Sequence, residues 1–111
     1  MKIEKFEAVT TAALPAVDLP NVNALLKDFA TINNSGAPIT FGVFRMSSGE
    51  ALPYSYDFDE YKLVLEGEIT VTDEDGVARE FKAGDVIQFA KGAKVVFSSA
   101  STGLTFYVAQ R

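Results

Sequence analysis

Glu60 and Lys62 are the residues whose types and spacing point most directly to chemistry. They stand two apart in EYKLVLEGEITV, where alternation like that of a half-buried strand puts both side chains on one face. An acid and an amine held together shift one another. Beside a carboxylate an amine stays charged, whereas a desolvated amine loses its proton and can act as a base. Such a pair can abstract and return a proton next to a carbonyl, as an isomerase, epimerase or cyclase requires. The same two residues equally satisfy a structural reading, a salt bridge that offsets two interior charges. Just upstream, Tyr54 and Tyr56 in YSYDFD either contact a ligand or pack as rim aromatics on a loop. Arg45 anchors a carboxylate or phosphate if it faces inward, and suits the surface as well.

Composition removes several classes of chemistry. The chain of 111 residues contains no His and no Cys. No Ser–His or Cys–His nucleophile can be assembled, and a transition-metal site would have to be built from carboxylates and Tyr alone. We therefore expect no metal and no cofactor. The net charge of -5 argues against nucleic acid. From Asp57 to Asp75 there are eight carboxylates and one basic residue, Lys62, a run that reads as a solvated acidic rim or as an electrostatic site. No stretch is long and apolar enough to span a bilayer, and MKIEKFEAVT alternates charged with apolar residues, unlike a signal peptide. The lack of Cys fits a cytoplasmic protein.

The elements that must position these residues are mostly strands. Residues 2–8 read as a short edge strand, and the Pro-containing stretch 9–20 as an extended connection. Val22, Leu25, Leu26 and Phe29 share one face at helical spacing, so a short helix over 22–29 is predicted, with Asn21 or Asn23 as its cap. After the turn at Asn33–Pro38, strands are expected at 39–46, 60–65 continuing through 68–72, 77–81, 86–89, 94–98 and 104–109. Turns rich in Gly, Asp and Ser separate them. Many short strands with regular turns and no βαβ alternation describe an all-β domain, a small antiparallel sandwich or barrel. Residues 1–38 are then an N-terminal arm, helical or extended, packed on a barrel of residues 39–111.

The ordered combination DEYKLVLEGE, DG, AGD and KG resembles the cupin superfamily. Glu60 and Gly67, with YKLVLE between them, match the second half of the first cupin motif, and Gly49 approximates its leading glycine. Gly84-Asp85, VIQF and Ala90-Lys91-Gly92 follow the second motif, with sixteen residues between Gly67 and Gly84. The resemblance covers roughly residues 39–109 and implies the cupin jelly roll, a double-stranded β-helix. The metal-binding His-x-His positions fall on Tyr54 and Tyr56, or on Pro53 and Ser55, and the last His on Val95. Of the usual three-His, one-Glu set only Glu60 survives. The Tyr-x-x-Asp-Glu lead-in and VLEGE look most like the ethanolamine-utilisation (EutQ-like) and ureidoglycine-type cupins. EutQ-like members also lack these histidines.

In the register implied by the resemblance, Glu60, Lys62 and Val64 point into the barrel, as do Val95 and Phe97, while Tyr61, Leu63 and Leu65 point out. A pocket lined by Val64, Val95 and Phe97, with Glu60, Lys62, Tyr54 and Tyr56 near its mouth, suits a small organic ligand. Three functions follow as expectations: a metal-independent cupin binding a small molecule, a metal-free isomerase, epimerase or cyclase using Glu60 and Lys62, and a structural cupin acting through its surface. The outward apolar residues of the 60–65 strand predict a homodimer.

Overall fold

Alternating side chains and glycine-marked turns produce eight strands in the computed structural model, which describes residues 3–111. They are β1 (Ala24–Ile32), β2 (Ile39–Ser47), β3 (Leu52–Ser55), β4 (Glu60–Thr72), β5 (Ala78–Lys82), β6 (Val86–Phe89), β7 (Lys94–Ser98) and β8 (Thr102–Ala109). All their pairings are antiparallel. The strands follow the order β1-β2-β8-β4-β7-β3, with β5 and β6 also paired to β4.

β4 joins two layers. Its first half pairs with β8 and β6, and its second half with β5 and β7. Between them the register shifts at Val64/Glu66, and Gly67 follows with φ +66°. A Cβ on Gly67 would lie 1.9 Å from the Thr102 carbonyl oxygen, so only glycine lets the strand cross from one sheet to the other. The core lies between the layers. Phe44 and Met46 of β2 face Phe97 of β7 and Ile69 of β4, with Phe44 and Phe97 ring centroids 5.2 Å apart. The opposite face of β2 carries a second aromatic row in which Phe41 meets Phe29, Phe106 and Phe6.

Three local expectations are corrected. Residues 24–32 form a strand, not a helix. Ala24 and Leu26 face the core and Asp28 reaches Tyr107, while a register shift at Asp28/Ala30 resets the alternation around Phe29. Apolar residues on both faces of a bulged strand mimicked helical spacing, and pairing with the edge of β2 decided the outcome. Residues 3–8 form no strand, although Phe6 packs on Phe41, and a 3-10 turn follows at Val9–Thr11. Lys2 lies outside the described residues. Finally, Leu52–Ser55 is a strand paired with β7, where Pro53 is tolerated because β3 lies at the end of the strand order. Of the connection expected at 9–20, residues 13–17 run extended between the 3-10 turn and a bend at 18–21, and the segment folds back so that Val17 N–H donates to the Ala24 carbonyl and Leu26 N–H to that of Pro15.

Candidate functional site

Alternation along β4 buries Glu60, Lys62 and Val64 and exposes Tyr61 and Leu63, the register that the cupin resemblance implies. Glu60 and Lys62 are 4% and 3% exposed, yet both border a cavity of about 250 Å³ between the two sheets. Its walls are apolar: Leu26 of β1, Phe44 of β2, Leu52 and Pro53 of β3, and Phe97 of β7. Val17 and Leu19 of the arm close one side, and Tyr54 and Arg111 stand at the rim.

One carboxylate oxygen organises the polar end. Glu60 Oε2 accepts a 2.5 Å hydrogen bond from Tyr56 Oη and lies 3.2 Å from Lys62 Nζ. Both of these contacts fall on Oε2. Lys62 Nζ also sits over three rings, 4.7 Å from the centroid of Phe44, 5.6 Å from Phe97 and 4.5 Å from Tyr107. Burial pulls the Lys62 amine below the ordinary lysine range, while the Glu60 charge and hydrogen bond oppose that shift. Tyr56 is pushed well above the usual phenol range, first by burial and then by the adjacent Glu60 charge, and so stays a donor.

Tyr107 links this pair to a second cluster. Its ring lies under Lys62, and its hydroxyl donates to Asp28 Oδ1. Arg111 holds the same carboxylate with two hydrogen bonds, 2.7 Å to Oδ2 and 2.9 Å to Oδ1, and its guanidinium lies 4.9 Å from the Phe58 centroid. The Arg111 hydrogen bonds are the main reason Asp28 titrates below its ordinary value, against the opposing effect of burial. Close packing fixes this arrangement, because a Cβ on Gly42 would lie 2.2 Å from Tyr107 Oη and 2.3 Å from the Lys27 carbonyl oxygen.

Of the residues singled out from the sequence, Glu60, Lys62, Tyr54, Tyr56 and Phe97 come together around the cavity. Val64 and Val95 point inward but belong to the packed core, away from the cavity lining. Arg45 is a correction. It lies on the face of β2 opposite Phe44, where its guanidinium donates to Thr102 Oγ1 at 2.9 Å and to Glu66 Oε1 at 3.2 Å. Sequence reasoning missed Asp28, Tyr107 and Arg111. Asp28 sits 79 and 83 positions from its two partners, so no local spacing joins them. The shared parity of Tyr107, Ala109 and Arg111 at the end of β8 was the available signal.

The residues present do not fit a metal ion of the kind the cupin resemblance implies. Tyr56 stands beside Glu60 where a ligand histidine is expected, and buried Val95 stands at the other. Glu60 Oε2 is already shared by a phenol and an ammonium. Among the described residues no three His, Cys, Asp or Glu side chains gather as a ligand set.

Comparison with known proteins places the chain among relatives of this architecture. The family model described as EutQ-like cupin domain matches residues 35–105. Acetate kinase EutQ of Escherichia coli K12 is 34% identical over 84 residues, 76% of this chain and 35% of that protein. The chain thus spans about a third of the length of this curated relative. A crystal structure of a putative ethanolamine utilization protein Q from Salmonella typhimurium LT2 superposes with a TM-score of 0.69 at 31% identity, covering 78% of this chain and 68% of that one. The polyketide cyclase RemF from Streptomyces resistomycificus superposes with a TM-score of 0.79 over 96% of this chain and 79% of its own, and at 18% identity it carries a likeness of fold.

Proposed function

The chain belongs to the EutQ-like cupin domain family, and from that membership we propose that its barrel binds one small organic molecule without a metal ion. The observation that carries this reading is the buried Tyr56–Glu60–Lys62 group at the end of an otherwise apolar cavity. The cavity volume of about 250 Å³ lies just under the usual range for ligand sites, roughly 300–1,000 Å³, which favours a compact molecule. Charges at the site pair off, Glu60 with Lys62 and Asp28 with Arg111, so a neutral ligand adds no unpaired charge. Its apolar body packs on Leu26, Leu52 and Phe97, and its polar end meets the Tyr56–Glu60–Lys62 group. We place this activity in the cytoplasm and in a homodimer joined through the exposed apolar face of β4, β6 and β8.

The acetate kinase named among the relatives is a protein about three times as long as the matched region. Phosphoryl transfer calls for carboxylate-held divalent metal and unpaired cations on the phosphates. This cavity's two cations are already paired, and among the described residues no ligand cluster exists. A second reading, metal-free acid–base catalysis by Glu60 and Lys62, is favoured by the lowered basicity of the buried amine.

The test is ligand-observed NMR with a set of small neutral alcohols and ketones, on the wild type and a Leu26→Trp variant that fills the cavity. Binding by the wild type and its loss in Leu26→Trp is the expected result. Absence of any binder, or binding that Leu26→Trp leaves intact, sinks the reading.

A further inference from the structure

Lys62 is poorly satisfied as a purely structural ammonium. It carries three N–H donors, and Glu60 is its one polar partner among the described residues. The remaining directions meet the Phe44, Phe97 and Tyr107 rings or the cavity. Buried ion pairs that serve stability have their remaining protons hydrogen-bonded, and this one does not.

We propose that Lys62 is a carbonyl-capturing amine, and that the cavity takes a small aldehyde or ketone which Nζ binds as a reversible imine. This rests on the small-molecule reading above and names the ligand class. A protonated imine has a single N–H, which matches the single acceptor, Glu60 Oε2. It also keeps one positive charge where the ammonium was, so the three rings and the Glu60 carboxylate stabilise it as they stabilise the ammonium. The lowered basicity of the buried amine supplies the neutral nucleophile at a pH where exposed lysines are protonated.

The chemistry balances with the groups at hand. Glu60 takes a proton from the ammonium, and the free Nζ lone pair forms a C–N bond to the carbonyl carbon. The carbonyl π electrons move to oxygen, which takes a proton from Tyr56 Oη, and Tyr56 is reprotonated by the nitrogen's excess proton through Glu60. The resulting carbinolamine hydroxyl is protonated by Glu60 and leaves as water, its C–O bond breaking as the nitrogen lone pair closes the C=N bond. An aldehyde and an ammonium have become a protonated imine and one water, with no oxidant or reductant consumed.

The experiment incubates the protein with propanal and sodium cyanoborohydride at about pH 7, where an exposed lysine is almost fully protonated. Intact mass and peptide mapping read the product. One propyl adduct per chain, on Lys62, is expected, and its rate should exceed that at exposed Lys94 by about tenfold for each unit of lowered pKa. The Glu60→Gln/Lys62→Met double variant removes both charges together, avoiding an orphaned ion, and should lose this adduct while surface labelling continues. Propan-1-ol has the same size and cannot form an imine, so its binding is followed in parallel by saturation-transfer NMR. Propanol binding without a Lys62 adduct overturns the imine and leaves the binding reading standing. Labelling spread evenly over surface lysines, with no propanol binding, overturns both.

Discussion

Replacing Glu60 with Gln should destabilise the fold at neutral pH, and the penalty should fade as the pH rises. The substitution keeps the shape and can still accept the Tyr56 hydrogen bond, but it removes the countercharge 3.2 Å from Lys62 Nζ. An orphaned ammonium at 3% exposure loses its proton if keeping it is costlier, and that sets the ceiling. The ordinary lysine value of 10.5 lies about 3.5 units above pH 7, and about 1.4 kcal/mol per unit gives at most about 5 kcal/mol. Single-partner removal from buried pairs typically costs about 3–5 kcal/mol, within that limit. A neutral Lys62 in the folded variant binds one proton fewer than the unfolded chain below the ordinary lysine pKa, so the variant's stability rises with pH. Glu60 raises the Lys62 pKa against burial in the wild type, so its loss sets the variant's folded value lower, and the deficit shrinks by about 1.4 kcal/mol per unit between the two folded values. Urea unfolding of both proteins at pH 7, 8 and 9 measures this. The Glu60→Gln deficit should shrink at each step, and adding Lys62→Met should recover most of it at pH 7. A deficit under about 0.5 kcal/mol at pH 7, or one that does not change with pH, would show that Lys62 is not an ion held by Glu60.

Two other perturbations test the frame around the pair. Gly42→Ala places a methyl group 2.2 Å from Tyr107 Oη, so the strand or the ring must shift; overpacking of this kind costs about 1–3 kcal/mol. The urea midpoint should fall accordingly, and an unchanged midpoint refutes the claim that Gly42 sets the position of Tyr107. On the outer face, Tyr61 and Val86 are 54% and 58% exposed, beside Leu63 and Val108. We expect light scattering to find a dimer at micromolar concentration and a monomer for Val86→Lys; a wild-type monomer would remove the basis for that interface.

Legibility in the sequence followed the range of the interactions. Apart from Leu52–Ser55, the strands from Ile39 onward, the turn at Asp73–Gly76 and the shared face of Glu60, Lys62 and Val64 rest on neighbours a few residues apart, and periodicity reported them well. β1 was misread because its two faces both carry apolar residues, Leu26 toward the cavity and Phe29 toward Phe41. Only the partner strand tells which period applies. Arg45 shows the complementary limit. Alternation alone puts Arg45 on the face opposite Phe44 and Met46, but which face encloses the cavity depends on β3 and β7, which arrive later in the chain. The Asp28–Tyr107–Arg111 cluster is joined across β1, β2 and β8; parity along the end of the chain relates Tyr107 to Arg111, but nothing local relates either to Asp28.

The replacement of histidines and the presence of Lys62 have a common physical consequence. A carboxylate inside a narrow barrel needs a nearby positive charge, because water is largely excluded there. A divalent ion held by histidines supplies that charge from solution, so such a site depends on metal supply. Here the cation is Lys62, two residues along the same strand, and its position is fixed by the pleat of β4. Tyr56 then takes the space beside Glu60 and returns a hydrogen bond instead of a lone pair. The barrel is thereby charge-balanced by its own sequence. The positive group it offers a ligand is an amine that can give up its proton, and that directs the chemistry of the cavity toward nitrogen acting as base or nucleophile.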